Sequence, residues 1–144
     1  MPYSDQFTAE ARADSVRAIL IDPAAKVIAP GWLTPSLASL YAVTQCELVQ
    51  IVGVGRDQNG EPVNLVCDDE GRLKPDQSCF RMGGYLIAGR ALLLSVDDEG
   101  DEASTALTVS TVLQAVQWCA PDTDYTPPNP VIMSWDAARA AGLI

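Results

Sequence analysis

The sequence predicts an α+β domain: a mixed, mainly antiparallel sheet with two principal helices on one face and an appended Pro-rich C-terminal tail. Short apolar runs that end in turn residues predict the strands, as in VRAILI before Asp22-Pro23. Two segments with apolar residues at helical spacing predict the helices. The stretch APDTDYTPPNP at 120–130 predicts a connector. The chain therefore divides into a polar lead-in (1–15), a core domain (16–119), and a connector with a short C-terminal helix (120–144).

The N-terminal part of the core is predicted to form two strands and a helix. The first strand covers 16–21, and a short return strand covers 26–29 and ends at Pro30-Gly31. Thr34-Pro35 is predicted to start the helix, with Thr34 as N-cap and Pro35 at the first helical position. Four residues then share one face of this helix: Leu37, Leu40, Tyr41 and Thr44.

The motif Asp-Asp-Glu-Gly occurs twice, at 68–71 and 97–100, and each copy directly follows a predicted strand. The strand before the first copy is 63–67, which follows another at 47–54 and a turn at 58–60. The run before the second copy, 85–96, is long enough for one bent strand or two, with glycines as bending points. Asp bonds to its own turn and Gly accepts positive φ. We therefore expect both copies to be solvent-exposed turns without bound metal.

The clearest predicted helix covers 108–119. Thr108 is a suitable N-cap, and an apolar stripe recurs at i, i+3, i+4 and i+7: Val109, Val112, Leu113 and Val116. At 100° per residue Trp118 falls on the opposite side, which should face water. We expect a cover for this tryptophan, because an exposed indole leaves a large apolar surface in water. The cover is either the tail, with Tyr125 and Trp135, or a partner protein.

Charge is the strongest compositional signal in this chain. Nineteen acids against nine Lys and Arg give a net charge of -10 over 144 residues, and 48% of residues are hydrophobic, enough for a core. Residues 91–138 contain eight acids and no Lys or Arg. Such a surface should repel nucleic acid and anionic membranes and attract basic partners. The other interpretation is a solvated face that aids solubility.

The sequence lacks the residues that several kinds of catalytic, metal-binding and phosphate-binding sites require. There is no histidine for a Ser-His or Cys-His nucleophile, and the four cysteines show no Cys-x-x-Cys spacing for zinc. Neither DDEG copy fits the ligand spacing of a helix-loop-helix calcium site. No glycine-rich phosphate loop is present. We therefore expect a binding protein rather than an enzyme, with no cofactor. Since no apolar signal segment precedes 16–21, we also expect reduced thiols in a cytoplasm.

Residues 16–119 resemble a family of small domains of unknown function found in bacteriophage and mobile-element genomes. The resemblance is carried by an Ile-Asp-Pro strand end, an Asn in a strand, the two DDEG segments, a Phe, a paired-glycine segment and a last helix: Ile21-Asp22-Pro23, Asn64, Asp68 to Leu73, Phe80, Gly84 to Gly89, Asp97 to Gly100 and 108–118. The resemblance implies a counter-defence context, such as that of anti-CRISPR proteins. It implies no catalytic residues.

Two functional hypotheses follow. In the first, the chain binds and inhibits or dismantles a basic host protein or ribonucleoprotein complex that handles nucleic acid. The candidate partner-binding residues are Asp97, Asp98, Glu99, Asp101, Glu102, Asp68, Asp69, Glu70, Trp118 and Trp135. In the second, it is a small-molecule or nucleotide-binding module, a sponge or an enzyme, with a pocket near Gly83–Arg90, where Arg81 and Arg90 would pair with phosphate.

Overall fold

The computed structural model describes residues 2–74 and 77–119. In chain order the elements are β1 (Val16–Asp22), β2 (Val27–Leu33), α1 (Leu37–Thr44), β3 (Val49–Arg56), β4 (Pro62–Asp68), a 3-10 helix (Gly71–Leu73), β5 (Cys79–Met82), β6 (Tyr85–Ala88), β7 (Ala91–Val96), β8 (Glu102–Ala103), α2 (Val109–Ala115) and β9 (Gln117–Cys119). The predicted α+β class is confirmed. The predicted Pro-rich tail and C-terminal helix lie outside the described residues.

The strands form two sheets. The larger has the order β2-β1-β7-β4-β3, with β8 paired to the last residues of β7, beside the start of β1, and the smaller has the order β6-β5-β9. All recorded strand pairs are antiparallel. In the larger sheet β1 and β4 flank β7, so these two strands run in the same direction. Their carboxyl ends therefore meet at the same edge of the sheet, beside the start of β7.

The central strands are apolar on both faces. Ile19 and Leu93 point to one face, where they pack with Phe80 of the smaller sheet and with α2. Leu20 and Leu92 point to the other face, which α1 and the N-terminal segment cover. The prediction that both helices lie on one face is therefore wrong, because strands that are apolar on both faces need a cover on each.

The start of α1 differs from the prediction by two residues. The N-cap is Ser36, whose Oγ accepts the Ser39 N–H at 3.0 Å, while the Ser39 Oγ accepts the Ser36 N–H at 3.0 Å. This reciprocal capping box satisfies two donors at the start of the helix, which Thr34 cannot do from its position. Pro35 consequently precedes the cap and does not lie inside the first turn.

The return strand β2 continues through Pro30-Gly31 to Leu33 instead of ending there. Phe7 explains the glycine, because a Cβ at Gly31 would overlap the Phe7 ring, which is fully buried beneath it. The N-terminal segment is further held to β2 by Thr8 and Trp32, which exchange backbone hydrogen bonds of 2.9 and 2.8 Å. Part of the predicted polar lead-in is thus integral to the core.

The run 85–96 forms two strands, the second of the two predicted alternatives. β6 and β7 are separated at Gly89-Arg90, where Gly89 has a φ of 87°. The break transfers the chain from the smaller sheet to the larger one. It also leaves the Arg90 side chain at the edge where β1 and β4 end.

Helix α2 ends at Ala115, four residues before the predicted end. Val116 is extended at φ -96° and ψ 133°, and Gln117–Cys119 forms β9, which pairs with β5. Trp118 therefore lies opposite Phe80, with the two rings edge-to-face at 6.4 Å. The predicted stripe is also only partly correct, since Val112 is buried but Leu113 is 57% exposed.

Candidate binding surfaces

The two DDEG segments form different turns. At 97–100 the motif closes the β7–β8 hairpin, where Gly100 has a φ of 84° and donates its N–H to the Asp97 carbonyl at 3.0 Å. At 68–71 it links β4 to the 3-10 helix, and Gly71 lies so close to β6 that a Cβ would stand 2.5 Å from the Ala88 carbonyl oxygen. One glycine is required by backbone conformation and the other by lack of space.

The turn at 57–61, which closes the β3–β4 hairpin, has the same hydrogen-bond pattern as the second DDEG copy at 97–100. In both turns the first Asp donates its N–H to the carbonyl four residues on, at 3.0 Å from Asp57 and 2.9 Å from Asp97. In both, its Oδ1 accepts the N–H groups two and four residues on. The repeated unit is therefore Asp-x-x-Gly-acid. Because β4 and β7 are antiparallel neighbours, both turns lie at the same end of the larger sheet.

The β7–β8 hairpin carries the densest acidic surface of the described residues. We call Asp97, Asp98, Glu99, Asp101 and Glu102 the acidic hairpin. All five side chains are exposed. The described residues contain two ion pairs, and neither involves this hairpin. Its backbone is fixed by the turn hydrogen bonds, so five carboxylates project from a defined scaffold.

The other predicted acidic residues lie at the opposite end of the sheet. Asp68 ends β4, whereas the acidic hairpin lies beside the start of β4, about 20 Å away at the usual rise per residue. Asp69 and Glu70 are exposed there. The Asp68 side chain is only 4% exposed and is occupied by Lys74. The two acidic segments therefore do not form one continuous surface.

At this opposite end two aspartates flank Arg90. Ile21 and Cys67 both pair with Ala91. The next residues in their strands, Asp22 and Asp68, therefore lie on either side of Arg90, which precedes Ala91. Arg90 Nη2 lies 3.3 Å from Asp22 Oδ2, and Nη1 donates to the Val43 carbonyl at 3.4 Å. The ends of β1 and α1 are thus joined through one guanidinium group.

Asp68 has its own partner. Lys74 Nζ lies 2.6 Å from Asp68 Oδ2, and Asp68 Oδ1 accepts the Glu70 N–H at 2.9 Å. The hydrogen bond to Asp68 raises the pKa of Lys74 above its ordinary value, although desolvation acts the other way. Lys74 was not among the residues singled out from the sequence, since a lone lysine beside a turn carries no motif.

Two grooves meet around these ion pairs. The larger has a volume of about 590 Å³ and extends from α1 to Lys74, and the smaller has about 300 Å³ and extends from Asp22 to Arg90. Gln45 and Asp68 line both. We call the joined grooves the strand-end cleft. It is concave and polar, whereas the acidic hairpin at the other end is a projecting loop.

The pocket predicted near Gly83–Arg90 is divided in the structure. Gly83 and Arg81 line a separate groove of about 290 Å³ beside the β5–β6 turn, whereas Gly89 and Arg90 line the strand-end cleft. Arg81 and Arg90 therefore line different grooves and are not brought together on one phosphate. The sequence places them nine residues apart, but the break at Gly89 sends the chain to another sheet.

Of the two tryptophans predicted to bind a partner, the described residues include Trp118 but not Trp135. Trp118 is half-buried against Phe80, so the chain itself provides much of the cover that was expected from the tail or a partner. Trp135, Tyr125 and the proposed strap lie outside the described residues. The expectation that Trp118 faces water was wrong because the helix ends before it.

A buried carboxylate behind the acidic hairpin was missed by the sequence reasoning. Asp57 is 8% exposed, and its Oδ2 accepts the Ser95 hydroxyl at 2.7 Å and the Ala106 N–H at 3.1 Å. Burial acts to raise the pKa of Asp57, but the hydrogen bonds from Ala106, Ser95, Glu61 and Asn59 together hold it below its ordinary value. This side chain therefore ties the segment before α2 to the sheet.

Within the described residues, no group of three or more Cys, Asp or Glu side chains is arranged to hold a metal ion. No helix there is long and apolar enough to cross a membrane.

A family model for a domain of unknown function, DUF3846, matches residues 16–117. The chain belongs to this family. The match begins at β1 and ends within β9, so it covers both sheets, both helices, the acidic hairpin and the strand-end cleft. No curated protein and no solved structure matches the chain.

Proposed function

We propose that this DUF3846 protein is a binding protein that uses its acidic hairpin to engage a basic host protein or ribonucleoprotein complex. It acts in the host cytoplasm as a counter-defence protein of a phage or mobile element, in the manner of anti-CRISPR proteins. The proposal is based on the five exposed carboxylates of the acidic hairpin. None of them forms an ion pair with residues 2–74 or 77–119. The resemblance to mobile-element domains supports the context.

The physical basis is electrostatic complementarity. Surfaces that bind nucleic acid are rich in Arg and Lys, and such a surface attracts a folded carboxylate array as it attracts phosphates. The acidic hairpin is suited to this because its turn is already ordered by Asp97, so little entropy is lost on binding. The net charge of -10 adds long-range attraction to a basic target.

The proposal is tested by neutralising the acidic hairpin. The first variant replaces Asp97, Asp98 and Asp101 by Asn and Glu99 and Glu102 by Gln. The matched control removes the same number of charges from exposed acids elsewhere: Asp5, Glu10, Asp14, Glu47 and Asp69. Both variants have the same net charge, so a difference between them reports position and not total charge.

The readout is inhibition of a panel of purified CRISPR effector complexes, together with capture of host ribonucleoproteins with and without nuclease treatment. We expect the wild type and the control to inhibit, and the hairpin variant to lose affinity and to show a weaker dependence on salt. Equal affinity of the two variants would mean that the acidic hairpin serves solubility only. Absence of any inhibited or captured complex would reject the counter-defence function.

A further inference from the structure

We propose that the strand-end cleft is a binding site for a small zwitterion of the amino-acid type. Its carboxylate is held by Lys74, and its positive group lies beside Glu47 and Glu70, which line the same groove. This site is separate from the acidic hairpin and does not depend on the function proposed above.

The carboxylates at the centre of the cleft are already satisfied by the chain. Asp22 Oδ1 accepts the N–H groups of Ala24 and Ala25, at 3.1 and 3.3 Å, and Oδ2 accepts two N–H groups of Arg90. Asp68 accepts one backbone N–H and the ammonium of Lys74. The aspartates therefore position the two cations; the acceptor sites of Asp22 are filled, whereas Asp68 uses two of its about four.

The cations retain donors. Arg90 uses three of its N–H groups and Lys74 uses one, so about two remain on each by the inventory of these side chains. The side chains of Gln45, Gln77 and Ser78 also line the cleft, and Ser78 makes no side-chain hydrogen bond to the described residues. Lys74 and Arg90 thus still offer charged hydrogen-bond donors, which suit an oxyanion.

The charge balance selects the kind of oxyanion. Among the described residues, four acids and two bases line the joined grooves: Asp22, Glu47, Asp68, Glu70, Lys74 and Arg90. A phosphate dianion would be repelled more strongly by this net negative surrounding than a singly charged carboxylate. Glu47 and Glu70 are exposed at the larger groove and form no ion pair with the described residues. A positive group on the same ligand would pair with them.

The size of the cleft agrees with such a ligand. The larger groove, about 590 Å³, lies within the range of small-molecule sites, and the smaller one adjoins it through Gln45 and Asp68. Tyr41 and Leu48 give the larger groove an apolar wall against which a short aliphatic chain can lie.

The test uses three probes that separate the two ends of the ligand. L-arginine carries both groups, agmatine lacks the carboxylate, and valerate lacks the cation. Calorimetry and thermal shift of the full chain should show L-arginine binding at least about tenfold more tightly than either fragment, because each fragment loses charge-assisted hydrogen bonds. Equal affinity of all three, or no stabilisation by L-arginine at about 10 mM, would overturn the proposal.

Two variants test which residues bind the carboxylate and which bind the positive group of the ligand. Lys74→Gln should weaken binding of L-arginine but not of agmatine, and the double change Glu47→Gln, Glu70→Gln should weaken L-arginine but not valerate. Glu10→Gln, at an exposed position outside both the cleft and the acidic hairpin, is the control and should bind as the wild type does. Melting temperatures without ligand report whether each variant folds. The same loss in Glu10→Gln as in the cleft variants would place the binding outside the cleft and reject the site.

Discussion

At the scale of single residues, aspartates at strand ends have three different roles in this chain. Asp97 shapes an exposed turn, Asp57 joins a turn to the segment before α2, and Asp68 holds a lysine. All three lie where a strand ends and a turn begins, so their local sequences predict the turn and nothing further. Burial distinguishes them, because a buried carboxylate needs partners that an exposed one obtains from water.

We expect Asp57→Asn to lower the free energy of unfolding by about 2 kcal/mol, since an amide cannot accept all the hydrogen bonds that the carboxylate accepts. The matched change Asp97→Asn, in the equivalent exposed turn, should cost about 0.5 kcal/mol. Urea unfolding of both variants measures the difference. Equal costs would show that the bonds to Ser95 and Ala106 contribute no stability.

The pH dependence of stability should report the same group. The pKa of Asp57 is lower in the folded chain than its ordinary value, so folding favours the ionised form. Its contribution is therefore complete above about pH 4, the ordinary value of an Asp, and is lost as pH falls through the folded pKa. The stability difference between wild type and Asp57→Asn should shrink over this range. A constant difference down to pH 2 to 3 would contradict the assignment.

At the scale of elements, the two DDEG copies show how one motif serves two connections. The copy at 97–100 closes a hairpin because β8 returns along β7, and the copy at 68–71 leads into the 3-10 helix under β6. The prediction of a turn at both places is confirmed. The prediction that both copies are solvent-exposed is wrong for Asp68 and Gly71, which are buried, because burial depends on what packs over the turn.

Substitution by asparagine should destabilise the protein to different extents at the two glycines. Gly100→Asn should cost no more than about 1 kcal/mol, because Asn tolerates positive φ and the site has open space. Gly71→Asn should cost several times more, since its Cβ would meet the Ala88 carbonyl. Thermal unfolding of the two single variants measures this. Equal losses would contradict the close approach of the 3-10 helix to β6.

At the same scale, strand pairing explains why α2 ends earlier than predicted. The stripe of Val109, Val112 and Val116 continues the helical period, but the pairing of Gln117–Cys119 with β5 stops the helix at Ala115. Strand pairing and the contact of Trp118 with Phe80 replace the helical hydrogen bonds that a longer helix would form. Tertiary pairing thus overrides a local preference of fractions of a kcal/mol per residue.

We expect Trp118→Ala to lower the free energy of unfolding by about 3 kcal/mol, because it removes the edge-to-face contact and leaves Phe80 partly uncovered. Trp118→Phe should retain most of the stability, since an aromatic ring remains opposite Phe80. Chemical unfolding followed by circular dichroism compares them. A cost below about 0.5 kcal/mol for the alanine variant would show that the contact is marginal.

At the scale of the whole molecule, the larger sheet separates two surfaces. The acidic hairpin lies at one end and the strand-end cleft at the other, about 20 Å apart. The described residues of the cleft and the hairpin share no hydrogen bond or ion pair that would couple them directly. Stability effects at the two ends should consequently be independent.

The combination of Lys74→Gln with the five hairpin changes tests this independence. The change in unfolding free energy of the combined variant should equal the sum of the two separate changes within about 0.5 kcal/mol. Denaturant unfolding at fixed ionic strength provides the values, since salt would alter the hairpin contribution. A coupling above about 1 kcal/mol would indicate that the sheet transmits an effect between its ends.

The sequence by itself determined the α+β class, the strands around 16–21, 47–54 and 63–67, the turns at both DDEG copies and the acidic character of the second one. These follow from local periodicity, turn chemistry and charge, which are written in neighbouring residues. The division into two sheets, the helices on opposite faces and the early end of α2 were decided by the tertiary structure. So was the strand-end cleft, because Asp22, Asp68 and Arg90 are far apart in the chain and meet only through the antiparallel register of β1, β7 and β4.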